Sequence, residues 1–109
     1  MAGKYWFANH PSGRVLAGSV VETEPEIAAG AEGTVAITVT GAALGDVVLG
    51  YSCSADMKDM MMDAHVTAAD TVTLTISNVT TGALTLDASA TFRALVLPSA
   101  AVDDIVSKM

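Results

Sequence analysis

An alternation of threonine with aliphatic residues constrains this chain more than any other feature of its sequence. It is clearest in residues 34–40 (TVAITVT) and residues 70–77 (DTVTLTIS). Successive side chains of an extended strand point to opposite faces, so Val35, Ile37 and Val39 share one face and the threonines share the other. One apolar face and one polar face are typical of a strand half buried against a core. The chain is therefore predicted to be built from β-strands.

The remaining sequence predicts a small all-β domain. Turn signals rich in Gly, Asn and Asp recur at intervals of roughly 8–12 residues, which is typical of a β-sandwich or jelly roll rather than of βαβ units. We expect seven or eight short strands in a β-sandwich or jelly-roll-like fold. The clearest strand-like runs are residues 14–21, 34–40, 46–52, 64–67, 71–77, 83–86 and 91–97.

The chain divides into three parts. Residues 1–12 form an extended N-terminal arm, residues 13–98 the β-sandwich domain, and residues 99–109 a short C-terminal helix. The arm holds Tyr5, Trp6 and Phe7, three of the five aromatic residues. Two interpretations of this arm stay open: a first strand whose Trp6 fills its own sandwich, and an anchor that docks on another subunit.

The helix is predicted from a change of period near the C-terminus. Ser99 follows Pro98 and can cap a helix, and four apolar residues then recur at helical spacing to form one stripe: Val102, Ile105, Val106 and Met109. A helix this short is marginal alone, so the stripe must pack on something. Its own sandwich and a neighbouring subunit are both open as that surface.

Composition excludes several classes of protein. Hydrophobic residues make up 51% of the 109 residues, but no run approaches the roughly 20 apolar residues of a spanning helix. We therefore expect a soluble protein without membrane contact. The N-terminus has no apolar stretch typical of a secretory signal, so synthesis in a cytoplasm is expected. A net charge of −7 with five scattered basic residues argues against binding nucleic acid.

No motif for catalysis or metal binding is present. His10, His65 and Cys53 do not belong to a nucleophile, base and orienting-group pattern, so we expect neither an enzyme nor a cofactor. Cys53 is expected to be a small buried or half-buried thiol. The acidic segment 22–33 contains four glutamates, but it lacks the ligand spacing of a calcium loop and is predicted to be a solvated loop.

Four of the six methionines lie in residues 54–63 (SADMKDMMMD), namely Met57, Met60, Met61 and Met62. The flexible thioether side chain packs well against irregular surfaces, which favours a contact at a trimer axis or with a capsid. Ordinary filling of the chain's own core is an equally good interpretation.

Three segments carry a resemblance to a known family. They are residues 38–48 (TVTGAALGDVV), 64–78 (AHVTAADTVTLTISN) and 86–96 (LDASATFRALV). Together they resemble a small β-domain that recurs in structural proteins of tailed-bacteriophage virions, and the resemblance spans roughly residues 35–97. Physically, Gly41 and Gly45 permit the left-handed backbone of tight turns, and Asp46 and Asp70 can accept backbone N–H bonds there.

The resemblance implies a virion component, most similar to a capsid decoration or cement protein. Such proteins are commonly trimers seated where major capsid subunits meet, so the implied location is the capsid surface, after synthesis in the cytoplasm of a host bacterium. An alternative is a tail or head-surface module that binds a host glycan or protein. The expected partner contacts are Tyr5, Trp6, Phe7, Met57, Met60, Met61, Met62, Val102, Ile105, Val106 and Met109.

Overall fold

The computed structural model describes residues 15–86 and 89–109, and these residues form six strands and one helix. The elements are β1 (Leu16–Glu22), β2 (Glu32–Thr38), β3 (Val47–Cys53), β4 (Met61–Ala68), β5 (Thr71–Ser77), β6 (Ala90–Leu97) and α1 (Ser99–Ser107). The N-terminal arm, with Tyr5, Trp6 and Phe7, lies outside the described residues.

The strands form two antiparallel three-stranded sheets, with strand orders β1-β6-β3 and β2-β5-β4. Buried side chains from both sheets belong to one hydrophobic cluster, in which Phe92 of β6 and Leu74 of β5 are among the largest members. The alternation predicted for β2 is confirmed, because Val35 and Ile37 are at most 1% exposed while Thr34 is exposed. The all-β class predicted from the sequence is thus confirmed.

Within the described residues, two of the predicted strands differ from the structure. The described residues hold six strands rather than seven or eight, because residues 83–86 form only an isolated bridge. There Leu84 exchanges two backbone hydrogen bonds with Ile27 of the acidic loop, at 2.8 and 3.0 Å. Strand β4 also begins earlier than predicted, at Met61, because its ladder with β5 extends as far as the pair Met61 and Ser77.

The turns named by the sequence motifs are bonded to each other at one end of the domain. Asp70 Oδ1 accepts the N–H of Gly41 at 2.7 Å, and the backbone N–H of Asp70 donates to the Ala42 carbonyl at 2.8 Å. Gly41 and Gly45 both have a φ of +95°, as predicted for tight turns.

Asp46 connects this end of the domain to the helix. Its Oδ2 accepts the N–H of Ala43 at 2.9 Å, and its Oδ1 accepts the N–H of Ser99, the first residue of α1, at 2.9 Å. The predicted cap by the Ser99 side chain is wrong, since Pro98 occupies the N-cap position and makes no side-chain bond. A carboxylate from another turn supplies the missing acceptor and places a negative charge at the positive end of the helix.

Replacing Asp46 should weaken the attachment of α1 to the β2–β3 connection. Asp46→Ala removes the acceptors of two backbone N–H groups, so we expect a loss of about 1 kcal/mol in the free energy of unfolding and a weaker helical signal in circular dichroism. Asp46→Asn keeps one carbonyl oxygen and should give a smaller loss by urea denaturation. Equal stability of Asp46→Ala and the native chain would show that this carboxylate does not hold the helix.

A second test concerns the close approach of the two sheets. A Cβ at Gly18 in β1 would overlap the carbonyl oxygen of Thr38 and lie 2.8 Å from Val39 Cγ2. We therefore expect Gly18→Ala to lower the free energy of unfolding by about 1–3 kcal/mol through overpacking. The matched control is Gly50→Ala in β3, where no atom lies within 4 Å of the added carbon. A stability loss no larger than the control's would contradict the tight contact.

Candidate functional site

The solvent-facing side of the β2-β5-β4 sheet is rich in threonine. Thr34 lies opposite Thr75 across the β2–β5 pair, and the Thr67 and Thr73 hydroxyls form a hydrogen bond of 2.7 Å between β4 and β5. One apolar face and one hydrated polar face are ordinary for an antiparallel sheet. This side of the molecule therefore needs no partner to explain its composition.

The solvent-facing side of the β1-β6-β3 sheet is different. We call it the apolar face and define it by its exposed apolar residues Ala17, Val21, Val47, Leu49 and Leu95. The four larger side chains are between 42% and 64% exposed. Leu95 lies opposite Ala17 on one side and Gly50, the neighbour of Leu49, on the other. Contiguous exposed apolar side chains of this kind mark a site of interaction. The apolar face is therefore the candidate functional site.

A groove of about 610 Å³ lies in the middle of the apolar face. Two cross-strand rows line it: Ser19, Arg93 and Ser52 in one row, and Ala17, Leu95 and Gly50 in the next. The small residues on the edge strands β1 and β3 leave space beside the long side chains of the central strand β6. A volume of this size lies within the range of small-ligand pockets, about 300–1,000 Å³.

Arg93 is the basic residue of the groove. It is exposed, and among residues 15–86 and 89–109 it has no ion pair or hydrogen bond through its side chain. Its guanidinium carries five N–H donors and a flat face that stacks on aromatic rings. The Ser19 and Ser52 hydroxyls flank it in the same row. The groove thus offers hydrogen-bond donors beside the apolar surface of Leu95.

Sequence reasoning missed this groove. The outward positions of β6 are Thr91, Arg93 and Leu95, so the alternation in this strand does not separate polar from apolar residues as it does in β5. A strand that is apolar on its inner face and partly apolar on its outer face is a signal that both faces are covered. That signal was present in residues 90–97.

The four clustered methionines do not act together. Met60 is 6% exposed within the core cluster, and Met57 and Met62 pack against that cluster half-buried. Met61 faces solvent at 62% exposure. Tyr51 lies beside them and donates its hydroxyl to the Met62 carbonyl at 2.9 Å, which links β3 to β4. Of the four, Met61 has most of its surface available to a partner.

The predicted helical stripe is covered at one end. Within α1 only Ala101 is buried, whereas Val102 and Ile105 are half-buried. Val106 is 61% exposed and Met109 is 96% exposed. The first two stripe residues are therefore partly covered, and the last two present apolar surface to solvent.

The described residues hold neither a cluster of metal ligands nor a helix that could span a membrane. No group of three or more His, Cys, Asp or Glu side chains in this part of the chain is placed to hold a metal ion. In the same residues no helix has the length and hydropathy to cross a membrane. Cys53 is half-buried, as expected, and its Sγ accepts the N–H of Ala55 at 3.4 Å. His65 is exposed on β4, and His10 lies outside the described residues.

The acidic loop contains one buried carboxylate. Glu24 is only 7% exposed, and desolvation by burial raises its pKa above 4.5, with the nearby negative charge of Glu22 raising it further. The native state therefore binds the proton more tightly than the unfolded chain does. The resulting penalty on folding is fully present above the raised pKa and disappears as the pH falls through it toward 4.5.

Removing this charge should stabilise the protein. Glu24→Gln should unfold at a higher urea concentration than the native chain at pH 7, and the difference should shrink as the pH is lowered toward 4.5. Glu26→Gln is the control, because Glu26 belongs to the same loop but is exposed. Identical urea midpoints for Glu24→Gln and the native chain at pH 7 would contradict the penalty.

Geometry thus singles out the apolar face and the end of α1 as surfaces that lack a covering among the described residues. In comparisons with known proteins, no family model, no curated protein and no solved structure matches this chain.

Proposed function

We propose that this protein is a non-enzymatic structural component of a tailed-phage virion that decorates the capsid and stabilises the head by bridging major capsid subunits. The observation that carries the proposal is the apolar face, where Val47, Leu49 and Leu95 are each more than 40% exposed. A protein that stabilises a lattice works through buried contact area, and exposed apolar surface of this kind supplies it. The virion assignment itself is supported by the resemblance of residues 35–97 to the small β-domain of tailed-phage structural proteins.

The same proposal includes the finer class of the fold. We take the two sheets to pack face to face as a small β-sandwich of the jelly-roll-like type. Support comes from the single hydrophobic cluster shared by both sheets and from the close approach of Gly18 to Thr38.

The proposed assembly is a homotrimer on the capsid surface, with the major capsid protein as its partner. Its contacts would be the N-terminal aromatic residues 5–7, Met61 of the methionine segment, and Val106 and Met109 at the end of the helical stripe. Each contact is small, but contacts made together by linked copies add to a much higher overall affinity. Exposure of Met61, Val106 and Met109 above 60% supports their inclusion.

A second candidate function is a head-surface or tail module that binds a host glycan or protein. The groove favours this candidate, since Arg93, Ser19 and Ser52 place hydrogen-bond donors in a concave site. Binding of purified protein to a host glycan or to host cells would support it. Absence of such binding, together with lower heat resistance of capsids that lack the protein, would leave the decoration function.

Deleting residues 1–10 should separate folding from decoration. We expect a chain that keeps the β circular-dichroism signal, because the core cluster of the described residues lies within residues 27–96, but that no longer adds to capsids lacking the protein. Occupancy is measured by sedimenting capsids with added protein and quantifying both proteins on a gel. Full occupancy by the truncated chain would show that the arm is not the anchor.

A point substitution on the apolar face complements the deletion. Leu95→Asn should lower capsid occupancy, whereas Leu44→Asn, at a loop position that is 70% exposed, should leave it unchanged. Equal occupancy for the two variants would remove the apolar face from the proposed interface.

A further inference from the structure

Two surfaces that the described residues leave uncovered within one molecule complement each other. We propose that the exposed end of α1 in one copy docks in the groove of the apolar face of a second copy, with Val106 against Leu95 and the Asp103 carboxylate on the Arg93 guanidinium. This inference rests on the homotrimer proposed above and deepens it, because it names which surface of one copy meets which surface of the next.

The exposed end of α1 combines apolar and acidic side chains. Val106 is 61% exposed, and Asp103 lies three residues before it, so the two share one face of the helix. Asp103 is exposed and makes no side-chain hydrogen bond or ion pair among residues 15–86 and 89–109. The neighbouring Asp104 differs, because its Oδ1 binds Lys108 Nζ at 2.7 Å. Of the two carboxylates in α1, Asp103 is therefore the one that can bind a cation of a partner.

The groove offers the matching chemistry. Leu95 is 46% exposed and supplies apolar contact beside the Arg93 guanidinium, which has no acidic partner among the described residues. An arginine can bind a carboxylate through two parallel N–H···O bonds. The residues opposite Leu95 on the edge strands, Ala17 and Gly50, are small, so an inserted aliphatic side chain meets no bulky neighbour from those strands.

A second copy fits the groove better than the molecule's own helix does. The lining residues of the groove belong to β1, β3 and β6, whereas the first residue of α1 is bonded to the Asp46 carboxylate. Val106 and Arg93 are both exposed in the same structure, so the helix end leaves the groove of its own molecule open. A head-to-tail contact fills the groove and covers the helix end on every copy, and it forms a ring when the rotation between copies closes.

Charge limits how two copies can meet. The chain has a net charge of −7, so most approaches of one copy to another are repulsive. The basic side chains of the described residues are Lys58, Arg93 and Lys108. Lys58 Nζ donates to the Thr85 carbonyl, and Lys108 pairs with Asp104. Of these three cations, Arg93 is the one left for a carboxylate of the next copy, and pairing it there makes this contact attractive.

Self-association of the 109-residue chain without capsids tests this contact. Sedimentation equilibrium should show a mass above that of the monomer that rises with protein concentration. Arg93→Glu and Asp103→Arg should each lower the association constant by about tenfold or more, because each places like charges together. Combining the two substitutions exchanges the charges and should restore most of the association. Such a rescue requires that the two residues face each other, which a general effect on folding would not give.

Glu26→Arg is the matched control for Asp103→Arg, since it makes the same change in net charge at an exposed loop position. Both variants reduce the overall repulsion between copies, so only loss of a specific contact can weaken the association of Asp103→Arg below that of Glu26→Arg. Val106→Asn tests the apolar part and should also weaken association, whereas Leu44→Asn, at a position that is 70% exposed, should not. Circular dichroism of each variant verifies that the β-domain is kept.

Three results would overturn the proposal. A chain that stays monomeric at every concentration makes no such contact. Association that is unchanged in both single variants, or that is not restored in the double variant, would place the contact elsewhere on the surface. Binding of glucuronic acid by a monomeric chain, lost in Arg93→Glu, would assign the groove to an acidic sugar.

Capsid occupancy is measured separately, so the two proposals fail in different ways. Self-association without capsid binding would refute the decoration function and leave this contact. Capsid binding by a chain that does not self-associate would refute this contact and leave the decoration function.

Discussion

Burial of one face of each sheet in a shared cluster is the constraint on which the rest of this structure depends. Within residues 15–86 and 89–109, Phe92 is the one aromatic side chain among the fully buried residues, and most of the others are aliphatic, such as Ile37 and Leu74. A domain of this size buries a smaller fraction of its surface than a large one does. The core therefore uses the inner faces of the six strands, and the outer faces must be explained separately.

The turn network at one end of the domain is the second requirement. Asp70 bonds the β4–β5 turn to Gly41 in the β2–β3 connection. Asp46, at the end of that same connection, bonds to the first residue of α1. Each of these residues has a structural task that needs no partner. The helix is short and would be marginal alone, so the Asp46 carboxylate also determines where the exposed residues Val106 and Met109 project.

The alternation of inward and outward side chains within one strand can be predicted from sequence. Which side chains lie side by side on neighbouring strands cannot. The inward positions of β2 and β5 follow from the threonine pattern, and the predicted bounds of β5 were correct at both ends. The groove depends on Ser19, Ser52 and Arg93, which are more than 30 residues apart and meet only through the pairing register. A shift of that register by one residue would turn every one of these side chains to the other face. The Asp46 bond to Ser99 is equally remote in sequence, which is why a local cap was expected instead.

The two outer faces differ in which of them favours contact with water. On the threonine face polar side chains are exposed and bond to each other, as the Thr67–Thr73 bond illustrates. Covering the apolar face is favourable, by roughly 25 cal/mol for each Å² of apolar surface removed from water. A decoration protein built in this way would sit with the β1-β6-β3 sheet toward its partner and the β2-β5-β4 sheet toward solvent. Residues 1–14 precede β1, which is an edge strand of the β1-β6-β3 sheet. Tyr5, Trp6 and Phe7 therefore precede, in sequence, an edge strand of the sheet that bears the apolar face.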